Sequence, residues 1–219
     1  MSNHKNRIVV LGAAGRTGRL IVDASLHSGH DTLAIVRSPE RADLPRHAKL
    51  EIGTSDALDA VSLGRILRAD DVVVSAIGPS GRKSDGLYAN AAAAVVAATA
   101  VVTATAGTGS QRFIAITSSG VRSGDPGHPW WYRTFLRPLM RNTYNDMARM
   151  ESVVAASTLD WTFVRPGRLL DAPATGNYRV EDGTNPPGGV SISRQDLADF
   201  VIACIEHDTW NRKHPTITR

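Results

Sequence analysis

The sequence has a single cysteine, few aromatics, no continuous run of like charge and no apolar leader. Cys204 alone excludes an internal disulfide framework and a multi-cysteine metal site, and its setting in "DFVIACIEH" marks a reduced core thiol. No metal is expected. The opening residues "MSNHKNR" lack the apolar centre of a signal peptide, so a cytoplasmic protein is the expectation. Net charge is +4 and pI about 9.6, but the arginines are scattered singly. Nucleic acid usually needs a continuous basic stripe, so the balance favours an anionic small molecule as partner. No charged residue falls between Asp85 and Arg112, and "ANAAAAVVAATAVVTATAG" is long enough to cross a bilayer. Its apolar content is mostly alanine and threonine, which gain little in lipid, and strand-like runs stand on both sides. It reads as a buried crossover helix, and no membrane partner is expected.

What remains is ordinary for a globular protein, and 219 residues suit one domain over 1–219. Short β-branched runs bounded by turn residues recur at 7–11, 32–36, 49–52, 71–77, 112–117 and 160–165, as strands buried on both faces should. Helical patterns lie between them, among them "RTGRLIVDASLHSG" and "DAVSLGRILRA", the latter capped by Asp59 with Leu63, Ile66 and Leu67 facing inward. This alternation predicts an α/β fold, a doubly wound parallel sheet with ligands at the carboxyl ends of its strands. After Val164 the pattern loosens into a Pro- and Gly-rich stretch, a small C-terminal substrate-binding portion with substrate-side elements at 166–192. It recovers in "SRQDLADFVIACIEH", where Ser193 and Asp196 have about the spacing of a capping box.

In that setting "GAAGRTG" carries chemistry. Gly12, Gly15 and Gly18 form G-x-x-G-x-x-G at the first βα turn, where a nucleotide pyrophosphate rests on unsatisfied helix N–H groups, with Arg16 and Thr17 in the same loop. The alternative is a glycine-rich turn without a ligand. The second strand ends in Arg37 and Ser38, whereas NAD-preferring enzymes usually place an acid there. With Arg16 these make a clamp for a 2′-phosphate, so NADP(H) is expected over NAD. Either arginine alone reads equally well as a solvated surface charge.

"GAAGRTGR", "VRSPER", "SAIG", "ITSSGV", "LDWTFVRPGRLLDAPATGNYRV" and "SISRQDLADFV" together resemble the atypical short-chain dehydrogenase/reductases, in particular the NAD(P)H-binding group that includes biliverdin-IXβ reductase (flavin reductase) and the NmrA-like proteins. The resemblance spans nearly the whole chain and implies a Rossmann-like fold and a small-molecule substrate. It implies that Asp56 and Ala57 lie beside the adenine, that Ser75, Ala76, Ile77 and Gly78 pass along the cofactor, and that Pro166 and Gly167 flank the nicotinamide. Asp56 reads alternatively as a helix-start residue. The wider superfamily pairs a serine with a tyrosine and a lysine four residues later. Thr117, Ser118 and Ser119 fill the serine region, with Thr117 assigned to the cofactor, Ser118 to catalysis and Ser119 to substrate. Tyr144 follows Ser118 by 26 positions, but Ala148 stands where the lysine belongs, and no register gives Tyr-x-x-x-Lys. A phenol with no neighbouring cation is a poor acid at neutral pH. Tyr144 is therefore either catalytic or a packing contact, with Arg149 a candidate stand-in for the lysine. Ser118 either orients substrate or caps local backbone.

One insertion stands apart, "GDPGHPWWYRTFLRPLMRN", which gathers Trp130, Trp131, Tyr132 and Phe135 among arginines spaced by four, with Pro138 set to bend the helix. It reads as a lid over 120–142 that covers a planar substrate, or as an anchoring helix with a solvated basic face. His128 is a loop residue or, less simply, a proton donor. Three functions fit: an NADPH-dependent reductase of a planar conjugated acceptor such as a flavin, quinone or tetrapyrrole, a nucleotide-sensing regulator of the NmrA kind, and a redox-neutral isomerase or dehydratase. The oligomeric state is not legible.

Overall fold

The computed structural model describes residues 7–79, 81, 84–107 and 110–219. The N-terminal residues 1–6, most of "MSNHKNR", lie outside the described residues, as do 108–109 near the end of the uncharged run.

The chain runs β1 (Arg7–Leu11), α1 (Arg16–His27), β2 (Asp31–Val36), β3 (Leu50–Thr54), α2 (Ala60–Ile66), β4 (Val72–Ser75), α3 (Leu87–Ala106), β5 (Arg112–Ile116), α4 (Arg137–Leu139), α5 (Arg141–Ala155), β6 (Asp160–Pro166), β7 (Arg168–Leu170), β8 (Arg179–Asp182), β9 (Ser191–Ser193), α6 (Arg194–Glu206) and β10 (Pro215–Thr218). The main sheet has the order β3-β2-β1-β4-β5-β6-β10-β8, parallel throughout except for β8, which runs antiparallel to β10. A second, two-stranded sheet pairs β7 with β9. This is the Rossmann-like doubly wound architecture the alternation predicts. The strand order reverses between β1 and β4, the switch point where such sheets bind ligands.

The central strands read as unbroken apolar runs because both faces are covered. Ile8 and Val10 pack with Ile21 and Val22 of α1 and with Leu197 and Val201 of α6. Val9 and Leu11 face the opposite layer, with Leu63 of α2, Val95 of α3 and Met147 of α5. Arg7 ties the bottom of β1 to that of β4 through two 2.7 Å bonds to the buried carboxylate of Asp71. Asp59 caps α2 by accepting from the amides of Val61 and Ser62, and Ser193 caps α6 by accepting from the Asp196 amide.

The sequence reading differs from the structure mainly at strand ends. The run at 71–77 contributes only Val72–Ser75 to the sheet, because beyond Ser75 the backbone leaves its neighbour β5 and keeps one bond, from the Ala76 amide to the Leu11 carbonyl. The crossover helix α3 is buried only in its N-terminal part, between Tyr88 and Thr99. Its outer turns still hide their polar atoms, since the hydroxyls of Thr99, Thr103 and Thr105 donate back to carbonyls four residues earlier.

Cys204 is buried on α6, where loss of solvent pushes its thiol up to about 12. The folded protein should leave it unmodified by a thiol reagent at mildly alkaline pH, with full reaction only after denaturation. Fast reaction of the native protein would show that α6 opens.

Candidate functional site

The glycine loop joins the end of β1 to α1, beside the end of β4. Gly12 has φ +77°, and a Cβ there would stand 2.8 Å from the Ala76 carbonyl oxygen. A Cβ on Gly18 would lie 2.2 Å from the Gly12 carbonyl oxygen, so this glycine lets α1 start close to the strand. Both therefore serve the chain's own backbone packing. Gly15 is the exposed N-cap of α1, with no side chain covering the helix amides. Thr17 is half-buried in the first turn. The loop thus presents free helix N–H groups at the switch point, the geometry that receives a pyrophosphate.

Ser75, Ala76, Ile77 and Gly78 form the opposite wall, passing from buried to exposed along the segment. Beneath them Tyr88 is buried, and burial, aided by the nearby Asp146 carboxylate, pushes its phenol up to about 12. Asp146 comes from α5 and accepts from the backbone amides of Tyr88 and Ala89 at 3.3 and 3.2 Å, capping α3 from another element. Sequence reading missed it. The available signal was a long helix that opens on Asp85-Gly86 with no local cap.

Arg37 and Ser38 follow β2, and Arg37 is exposed with no ion-pair partner among the described residues. Arg16 instead bonds Asp171 at 2.8 Å, and Asp171 also takes Arg194 at 2.5 Å. Arg16 and Asp171 are 73% and 62% exposed, and such pairs are worth about 0–1 kcal/mol, so Arg16 leaves Asp171 at little cost. Asp56 accepts from the Leu58 amide in the turn before α2, while Asp59 is the actual cap. Asp56 is thus a turn residue just beyond β3, with Ala57 half-buried beside it.

At the end of β5 the three hydroxyl residues separate. Thr117 is buried, and its hydroxyl donates to Glu151 at 3.0 Å. Glu151 also takes both arms of Arg165, at 3.0 and 2.5 Å. This ion pair, its side chains nine-tenths buried, braces α5 against β6. Ser118 is half-buried, and its Oγ accepts from the Gly120 amide at 3.3 Å, the local capping its alternative reading describes. Ser119 is buried, and its carbonyl accepts from His128 Nε2 at 3.0 Å. Pro166 ends β6 in the interior, and Gly167 fits where a Cβ would meet Thr218 and the Val190 carbonyl.

Tyr144 faces Tyr132, their hydroxyls 2.8 Å apart. Tyr132 stacks on His128 with ring centroids 4.4 Å apart, and burial, reinforced by the bond to Tyr144, drives its phenol well above the ordinary range. Gly120 makes room for the pair, since a Cβ would stand 2.4 Å from the Tyr144 ring and 2.5 Å from the Tyr132 hydroxyl. Arg149 is exposed on α5, about 140° around the helix from Tyr144, and does not share its face.

The insertion is helical but irregular. The Arg137 amide donates to the Tyr132 carbonyl, a π turn spanning Tyr132–Leu136 just before Pro138, and the helix breaks at Met140 before α5. Tyr132 turns inward to Tyr144, whereas Trp130 and Trp131 stand on the outer surface. The structure thus brings Tyr132 to the Ser118 turn and leaves the two tryptophans outside it. The base of the insertion is pinned by Asp125, which accepts from the amides of Gly127 and Asn185, and by Asn185 Nδ2, which donates to the carbonyls of Gly127 and Gly189.

Residues 12–208 match the NAD(P)H-binding family, and the chain belongs to it. A phenylcoumaran benzylic ether reductase of Betula pendula is 35% identical over 83 residues, which is 34% of this chain and 27% of that protein. The chain thus spans about a quarter of the length of the curated relatives it matches. Among solved structures, the anaerobillin reductase ChuY of Escherichia coli O157:H7 superposes with TM-score 0.77 at 21% identity over 97% of each chain. The oxidoreductase ylbE of Lactococcus lactis does so with TM-score 0.78 at 19% identity over 97% of this chain and 90% of that one. These two share the fold.

Proposed function

We propose that the protein is an NADPH-dependent reductase that passes hydride to a planar, conjugated small molecule such as a flavin, quinone or tetrapyrrole. The observation that carries this reading is the tyrosine pair. Tyr144 is bound to another phenol, Ala148 occupies the position a lysine would need, and burial makes Tyr132 a still weaker acid. A site built this way orients substrate by neutral hydrogen bonds and supplies no strong proton donor. An acceptor that delocalises the incoming charge needs none. When bound, the nicotinamide supplies the hydride, and the protein's part is to hold it against the acceptor. The glycine loop and the Ser75–Gly78 wall would hold the dinucleotide, with Arg16, Arg37 and Ser38 on a 2′-phosphate. The named reductase activity of the Betula relative fits this reaction class.

The purified protein is expected to oxidise NADPH with FMN or a simple quinone, followed by loss of nicotinamide absorbance. Tight NADPH binding without turnover across a broad acceptor panel would overturn the reading in favour of a nucleotide-sensing regulator. Within the reductase reading, Tyr144→Phe should lower kcat less than about tenfold, since nothing activates the phenol. A thousandfold loss would restore Tyr144 as the acid.

A further inference from the structure

Half of the exposed large apolar side chains of the described residues fall in one short segment. Leu139 is 81% exposed, Trp130 67% and Phe135 64%, and Trp131, Leu136 and Met140 are exposed beside them. Scattered exposed apolar residues need no explanation, but six within eleven positions of the chain are a concentration. The same stretch is basic. Arg133, Arg137 and Arg141 lie in it, and no acidic residue occurs between Asp125 and Asp146. Arg137 is anchored inward on the Gly120 carbonyl at 3.2 Å, while Arg133 and Arg141 are exposed and in no ion pair among the described residues.

From this juxtaposition we infer that segment 130–141 docks the protein on an anionic lipid bilayer, its aromatic and aliphatic side chains entering the interfacial layer and Arg133 and Arg141 meeting lipid phosphates. Helical segments that mix Trp, Phe and Leu with arginine bind membranes in this manner, lying in the interface plane. Charge selects this occupant over a second copy of the chain. A twofold contact joins the same patch on both subunits, so it would set these arginines around their own symmetry mates with no carboxylate of the segment to pair them. The sequence sets aside a spanning helix at 89–107 and gives no membrane partner; this face is a peripheral one and does not depend on α3. The inference is also independent of which acceptor the enzyme reduces.

The test is co-sedimentation of the full chain with vesicles of phosphatidylcholine alone and of phosphatidylcholine mixed equally with phosphatidylglycerol. Wild type should pellet with the mixed vesicles at low salt, lose that association at high salt, and stay in solution with the neutral ones. Phe135→Ser/Leu139→Ser and Arg133→Glu/Arg141→Glu should each lower the partition coefficient at least about tenfold, with NADPH affinity kept as proof of folding. Wild type that ignores the mixed vesicles, or binds both kinds alike, overturns the proposal. So does a concentration-dependent doubling of mass in sedimentation velocity that Phe135→Ser/Leu139→Ser abolishes, which would assign the face to a second copy.

Discussion

The Arg37→Asp protein should bind NADPH about a hundredfold more weakly than wild type while holding NADH at least as well. A charge-assisted hydrogen bond to phosphate contributes roughly 1.5–3 kcal/mol, which is about ten- to a hundredfold in affinity, and Arg37→Ala removes that much. An aspartate adds repulsion of the phosphate and gives the ribose hydroxyls an acceptor. Arg37 is exposed and makes no ion pair among the described residues, so its replacement should perturb little else. The quantity to measure is the ratio of NADPH to NADH dissociation constants for wild type and both variants at one salt concentration. Equal weakening of both cofactors would reduce Arg37 to a surface charge.

Glu151→Ala should destabilise the protein by about 3–5 kcal/mol, because it strands Arg165 in the interior without its carboxylate. Replacing both partners, Glu151→Leu with Arg165→Met, should cost much less than Glu151→Ala alone, since buried ion pairs are often no better than apolar groups of similar volume. Chemical denaturation of the three proteins decides this. A loss in the double variant as large as that of Glu151→Ala would show that the cost does not come from stranding Arg165. In either case the Thr117 hydroxyl keeps only the Val164 carbonyl, 3.5 Å away, as acceptor, so kcat should fall alongside stability if the Ser118 turn rests on this pair.

What was legible in the sequence follows from the range of the physics. β1, β4 and β5 are buried on both faces, so their continuous apolar runs name them without any knowledge of neighbours. The caps at Asp59 and Ser193 are local, within three residues of what they bond, and were equally readable. β7, β8 and β9 are three or four residues long and set among prolines and glycines, too short for a period to show. β10 has its strand character supplied by β6 and β8 rather than by its own four residues. In the site, the glycine loop, Arg37 and the missing lysine could be read because each is a matter of residue type at a fixed spacing. Asp146 of α5 with the amides of α3, Glu151 with Arg165, and Tyr132 with Tyr144 could not. Each joins elements that only the fold brings together, and Gly120 becomes informative only once two phenols are seen to occupy the space beside it.

The bond between Tyr132 and Tyr144 also fixes the number of hydrogens the pair shows to a bound molecule. One phenol donates to the other, and the recipient's own hydrogen is left to point elsewhere. Exchanging those parts requires two hydroxyl rotations and no change of charge. The single outward O–H can thus belong to either tyrosine. The pair is thus free to exchange donor and acceptor, a freedom that a tyrosine locked to a lysine does not have.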